Sequence, residues 1–204
     1  MKSQKDARDA LLRAWPTIVR ECRQVLGSEQ HYQAVVYHCL RTAGRVPLRQ
    51  LGMNVKIGIY SPKAPLFRRR AKQRHEDYQG HFEPIPDVVF FPSVIEGDWR
   101  RRRFEETLKQ MIGAVEIKAS ERDKNRLQKG EVIHDIEKLA AHKHEKKHRH
   151  NAGFYAAVMV IDTAPETAEQ MTPTGRDKVV RSAKENGVDF FYVSNSLSFS
   201  PVSR

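Results

Sequence analysis

The sequence predicts an α/β domain: a mixed β-sheet flanked by helices. Three observations carry that expectation. Short β-branched and aromatic runs alternate along the chain with longer segments of helical period. Glycine, proline and capping residues fall mostly between these segments. No internal repeat or long low-complexity tract points to another architecture.

Residues 3–26 read as helix, because Ala7, Ala10, Leu11, Ala14, Ile18, Cys22 and Val25 recur at helical spacing. Pro16 is expected to kink that helix or to start a second segment. Gly27 breaks it, Ser28 is a good N-cap, and Glu29 suits the first turn of a new helix. Tyr32, Val35, Val36, Cys39 and Leu40 form its apolar face, and Gly44 and Pro47 end it. Met53, Val55, Ile57 and Ile59 alternate, so residues 53–60 read as a strand. Residues 61–84 are basic and uneven, and read as a long loop. Ile85 to Phe91 is a short apolar run, taken as a buried strand. Residues 100–112 read as helix and 114–119 as strand. A polar connection then leads to a helix over 131–149. Phe154 to Asp162 is the clearest strand signal, followed by a helix over 173–186 and a last strand over 188–194. The first 27 residues are expected to be a helical extension, 28–162 the core, and 163–204 a C-terminal α-β addition.

Composition narrows the function classes. The chain has 204 residues, with 36 Lys+Arg against 25 Asp+Glu, a formal charge of +11. Such a field favours a polyanion, and nucleic acid is the usual one. No apolar run reaches the length of a membrane span, and the N-terminus lacks a secretory apolar stretch. Cys22 and Cys39 have no C-x-x-C partner, which excludes a disulfide scaffold and a zinc ribbon. A reducing, cytoplasmic setting is the expectation.

Two apolar strands carry charged residues. Pro86-Asp87 opens the run Val88-Val89-Phe90-Phe91, and Glu116 and Lys118 lie two residues apart in Val115-Glu116-Ile117-Lys118-Ala119. Residues i and i+2 of a strand share a face, so Glu116 and Lys118 project together while Ile117 turns into the core. Two carboxylates converging from neighbouring strands suit a hard divalent cation such as Mg²⁺. Such an ion neutralises a phosphodiester and activates water, and a neighbouring lysine can position that water or offset the developing charge. An exposed Glu–Lys pair on a strand edge is the plainer alternative.

Pro86-Asp87 followed by Glu116-Ile117-Lys118, set in an α-β-β-β-α-β order, resembles the PD-(D/E)xK nuclease superfamily with its restriction-endonuclease-like fold. The resemblance covers residues 28–162. It implies that Asp87 and Glu116 are metal ligands, with the main-chain carbonyl of Ile117 as a third. It implies that Lys118 serves the attacking water. Many members add an acid from the first core helix, a place that Glu29 fits; a helix-dipole partner is the equal alternative. The helix after E-x-K often lines the substrate groove, so Asp135 and Lys138 could do so, with solvated surface as the alternative. The implied activity is Mg²⁺-dependent hydrolysis of DNA, with Mn²⁺ as the alternative ion. The Q-x-x-x-Y signature of the RecB-like branch is absent.

Basic runs flank this motif. Arg100-Arg101-Arg102-Arg103 precedes a helix, Arg68-Arg69-Arg70 lies in the long loop, and residues 138–150 are rich in Lys, Arg and His. They read as phosphate contacts that position a duplex or branched DNA. Tyr60, Phe67 and Tyr78 could stack on bases. A competing motif, His144-Glu145-Lys146-Lys147-His148, matches H-E-x-x-H, with Glu166 or Glu169 as the third zinc ligand. Its cationic surroundings favour a surface histidine cluster over a zinc protease. One predicted site per chain would require a homodimer to cut both strands. Leu11, Leu12, Trp15, Ile18 and Val19 could form that dimer surface or simply pack on the core. A non-catalytic nucleic-acid-binding module, or a subunit working with protein partners in a larger transposition or repair complex, is the alternative of a different class.

Overall fold

The computed structural model describes residues 1–95 and 104–201. Among these, helices α1 (Gln4–Cys22), α2 (Glu29–Arg41), α3 (Pro65–Lys72), α4 (Phe104–Gln110), α5 (Lys129–His150) and α6 (Pro173–Glu185) surround one sheet. Its strands are β1 (Leu51–Met53), β2 (Val88–Phe90), β3 (Gly113–Ala119), β4 (Tyr155–Asp162), β5 (Asp189–Ser194) and β6 (Ser198–Phe199). They lie side by side in chain order. β1, β2 and β3 form an antiparallel meander, while β3, β4 and β5 run parallel through crossovers containing α5 and α6. β6 closes the far edge antiparallel to β5. The fold is therefore α/β with a mixed sheet.

The sheet separates two apolar layers. Val88, Phe90, Val115, Ile117, Met159 and Phe191 face α1 and α2. Val89, Ala114, Val158, Val160, Phe190 and Tyr192 face α5 and α6. This alternation is the two-residue period of a strand covered on both faces. α1 belongs to the first layer. Its Leu11, Trp15 and Ile18 are buried, and Trp15 meets Phe191 edge-on at 5.1 Å between ring centroids. The apolar face offered as a dimer surface is thus filled by the protein's own core. α1 runs unbroken through Pro16 under a Ser3–Asp6 capping box, and it ends at Cys22, short of the expected 26. Cys22 and Cys39 are buried, free thiols.

Three expectations change. The strand expected at 53–60 is regular only at Leu51–Met53. Beyond it, Asn54 takes a left-handed φ of 53°, and Ile57 and Ile59 make separate bonds to the carbonyls of Pro84 and Phe82. Pro84 and Pro86 have no N–H to return, so the ladder cannot continue there. β2 is likewise shorter than its apolar run, and Ile85 is exposed. The expected loop over 61–84 contains α3, with Pro65 opening its first turn. The helix expected over 100–112 is described as α4 from Phe104 onward, and the run Arg100-Arg101-Arg102-Arg103 lies outside the described residues. Among the described residues no helix is long and apolar enough to cross a membrane.

Candidate metal and phosphodiester site

β2, β3, α2 and α5 bring one charged cluster together. β3 puts Val115, Ile117 and Ala119 into the layer below α1 and α2. Glu116 and Lys118 therefore project on the opposite face, toward α5. The antiparallel register of Val88 with Val115 sets Asp87 beside Ile117. Asp87 Oδ2 accepts the Ile117 N–H at 2.6 Å, and its Oδ1 accepts Gln33 Nε2 at 2.8 Å. The Ser28 cap starts α2 so that Glu29 stands at its first turn, and both Glu29 oxygens accept from Lys118 Nζ at 3.0 Å. From α5, Asp135 Oδ2 lies 3.3 Å from Lys118 Nζ, and Asp135 Oδ1 lies 2.7 Å from Lys138 Nζ. Lys138 Nζ also lies 3.9 Å from Glu116 Oε1.

The acids are deeply placed: Asp87 is 7%, Glu116 4% and Asp135 3% exposed. Burial pushes the Asp87 carboxyl up to about 6; the Ile117 N–H pulls against this, and the Glu29 charge adds to it. Burial also raises Glu116 well above the usual carboxylate range, with Lys138 opposing and Asp87 reinforcing the shift. Glu29 is raised by burial against the pull of Lys118. Burial would lower both lysines, but Asp135 and Glu29 outweigh it at Lys118, as Glu116 and Asp135 do at Lys138, and both end above the ordinary value. Crowded buried carboxylates whose ionised forms are disfavoured are oxygen donors suited to a hard cation. Asp135 Oδ2 makes no hydrogen bond, and its charge is met by the Lys118 ammonium alone.

The cluster unites every residue of the E-x-K reading: Asp87, Glu116 with Ile117, Lys118 and Glu29. Asp135 and Lys138, each weighed against solvated surface, lie inside it. Gln33 was missed, as was Asn54, whose Nδ2 donates to Gln33 Oε1 at 3.3 Å. The Gln33 signal was its place one turn after Glu29 on the same helix face. Asn54 left none, since its contact arises from its left-handed backbone.

The basic residues divide. Arg68 and Arg69 on α3 are exposed, whereas Arg70 is buried between Asp77 at 3.3 Å and His134 at 3.1 Å. Arg70 thus serves an internal network and is not an open phosphate contact. Lys138 lines a cavity of about 350 Å³ together with Arg70, Phe67, His81 and Asp77. The aromatics offered for base stacking are engaged. Phe67 and Tyr78 pack on Phe82 at 5.0 and 5.1 Å, and Tyr60 stacks on His81 at 4.6 Å.

The H-E-x-x-H segment has another job. Glu145 is fully buried and accepts from the N–H groups of Lys63 at 2.6 Å and Ala64 at 2.7 Å, and from Arg149 Nε at 2.6 Å. It caps the start of α3 across the fold. His144 and His148 stack ring on ring at 4.0 Å. Glu169 is bound to the Lys124 N–H. Among the described residues, the group of three side-chain donors within mutual reach of one ion is half-buried His75 with exposed Glu76 and Asp77, which includes neither histidine of the motif and none of Glu29, Asp87, Glu116 and Asp135.

Comparison with family models, curated proteins and solved structures finds no match to this chain.

Proposed function

We propose that the protein is a divalent-metal-dependent nuclease that hydrolyses phosphodiester bonds in DNA. The observation that carries this reading is the convergence of buried Asp87 and Glu116 with Lys118 on one face of neighbouring strands. Apart from the inserted α3 and α4, the segment order α2-β1-β2-β3-α5-β4, with a β-meander followed by a parallel crossover, supports a restriction-endonuclease-like core. Asp87 and Glu116, with the Ile117 carbonyl, would hold Mg²⁺ or Mn²⁺. When bound, such an ion supplies Lewis-acid polarisation of the phosphodiester and of water. Gln33 and the Ile117 N–H fix the Asp87 carboxylate, so little reorganisation is needed on binding. Lys118, fully charged, orients the attacking water and offsets negative charge growing at phosphorus.

The test is a cleavage assay on supercoiled plasmid, linear duplex, single strands and a four-way junction, with Mg²⁺, Mn²⁺ or EDTA. Asp87→Ala and Lys118→Ala are expected to abolish metal-dependent cleavage while leaving DNA binding. Cleavage that persists in both variants would exclude this site. One observation favours a second reading: Lys118 is clamped by Glu29 and Asp135. A subunit that needs a protein partner to release that lysine, or a non-catalytic binding module, would bind every substrate and cut none.

A further inference from the structure

We infer that the Lys138 ammonium occupies the place of a second cation, so that the centre takes one divalent ion. This rests on the metal-dependent reading above. Phosphodiester centres with two ions hold them roughly 4 Å apart and neutralise both the attacking and the leaving oxygen. Here the α5 side of Glu116 meets the Lys138 ammonium, 3.9 Å from Oε1. Asp135, the other acid on that side, spends one oxygen on Lys138 at 2.7 Å and turns the other to Lys118 at 3.3 Å. It is not open to a second ion. Asp87 receives one donor on each oxygen, from Gln33 and from Ile117, which leaves one lone pair on each for metal binding.

Charge leads to the same count. Leaving aside exposed Glu121 beside the Glu29 backbone, Glu29, Asp87, Glu116 and Asp135 in ionised form, set against Lys118 and Lys138, leave a formal charge of minus two, which one divalent ion cancels. A second would leave an uncompensated positive charge among buried groups, which is strongly unfavourable. Lys138 also lines the cavity of about 350 Å³ beside the centre. An anionic phosphate entering from that side would meet a tethered ammonium where other nucleases present a metal. Lys138 thereby becomes a charge-stabilising residue of the reaction.

The test is Mn²⁺ titrated into the full chain without nucleic acid, with free ion read by electron paramagnetic resonance. The quantity counted is the ions that Asp87→Asn abolishes, because His75, Glu76 and Asp77 could take Mn²⁺ elsewhere. The wild type is expected to hold one such ion, Lys138→Gln two, and Lys138→Arg one. Two such ions in the wild type overturn the inference and leave the metal-dependent reading standing. A count of one in folded Lys138→Gln overturns the role of Lys138. No ion in the wild type overturns the reading beneath both. Circular dichroism checks the fold of each variant; if Lys138→Gln does not fold, Lys138→Met takes its place, and the wild-type count still separates one ion from two.

Discussion

Gln33 places Asp87, although nothing in its own chemistry marks it as functional. It is 6% exposed, donates to Asp87 Oδ1 at 2.8 Å and is itself held by Asn54. Partners that orient a ligand commonly matter 10–100-fold in metal affinity or activity. Gln33→Leu is therefore expected to weaken Mn²⁺ binding by about 10–100-fold with the fold retained; an unchanged Mn²⁺ titration would sink the idea. His142 shows the opposite case, a polar residue used as an apolar one. Its ring is wholly buried beside Phe67 and Phe154, and neither nitrogen has a hydrogen-bond partner. Burial, aided by Lys138, lowers it from 6.5 to about 3. The unfolded chain takes up this proton below pH 6.5 and the folded chain does not, so stability falls as pH drops toward 3. The slope from this one group is at most about 1.4 kcal/mol per pH unit. His142→Phe should flatten that acid limb, as followed by urea midpoints at successive pH values. A limb of unchanged steepness would mean that other groups carry it.

α3 exists because α5 caps it. Ala64, at its N-cap, has no side-chain hydrogen bond to give, and the carboxylate of Glu145 binds the Lys63 and Ala64 N–H groups instead. Losing such a buried acceptor costs about 1–3 kcal/mol. In Glu145→Ala, amide exchange is expected to quicken over residues 63–72 ahead of the sheet; uniform exchange would show that α3 stands without this cap. β3 and β4 depend on close approach at their start. A Cβ on Gly113 would lie 2.7 Å from the Tyr155 carbonyl oxygen, a backbone atom that cannot swing aside. Gly113→Ala should cost about 1–3 kcal/mol in a denaturant melt, and a neutral result would mean that the strands can separate there without loss. Elements with strong internal periodicity were legible to within a few residues: α2, α5, α6, β3, β4 and β5. β1 and α3 were not, because the first is ended by prolines on its partner segment and the second is started by a side chain from another helix.

The whole molecule carries a charge of +11, but the cations are not interchangeable. Lys118, Lys138 and Arg70 are held by acids or buried networks, while Arg68 and Arg69 are exposed on α3. A duplex contact through the latter two should release about one counterion each. Arg68→Ala with Arg69→Ala is therefore expected to lower the slope of log affinity against log salt by about 2, measured by anisotropy of a labelled duplex. A slope equal to the wild type would place the DNA on another surface.

The sequence by itself determined the α/β class, the order of the main strands and helices, and the shared strand face of Glu116 and Lys118. Those features follow from residue period and from i, i+2 geometry, which are local. Only the tertiary structure decided that Glu145 caps α3, that Arg70 and Phe67 are internal, that α1 is a core layer, and that Gln33, Asp135 and Lys138 complete the charged centre. Each of these depends on contacts between segments distant in the chain. Burial then gives them their meaning: the same carboxylate or ammonium is solvated on an open face and tightly paired between a sheet and a helix.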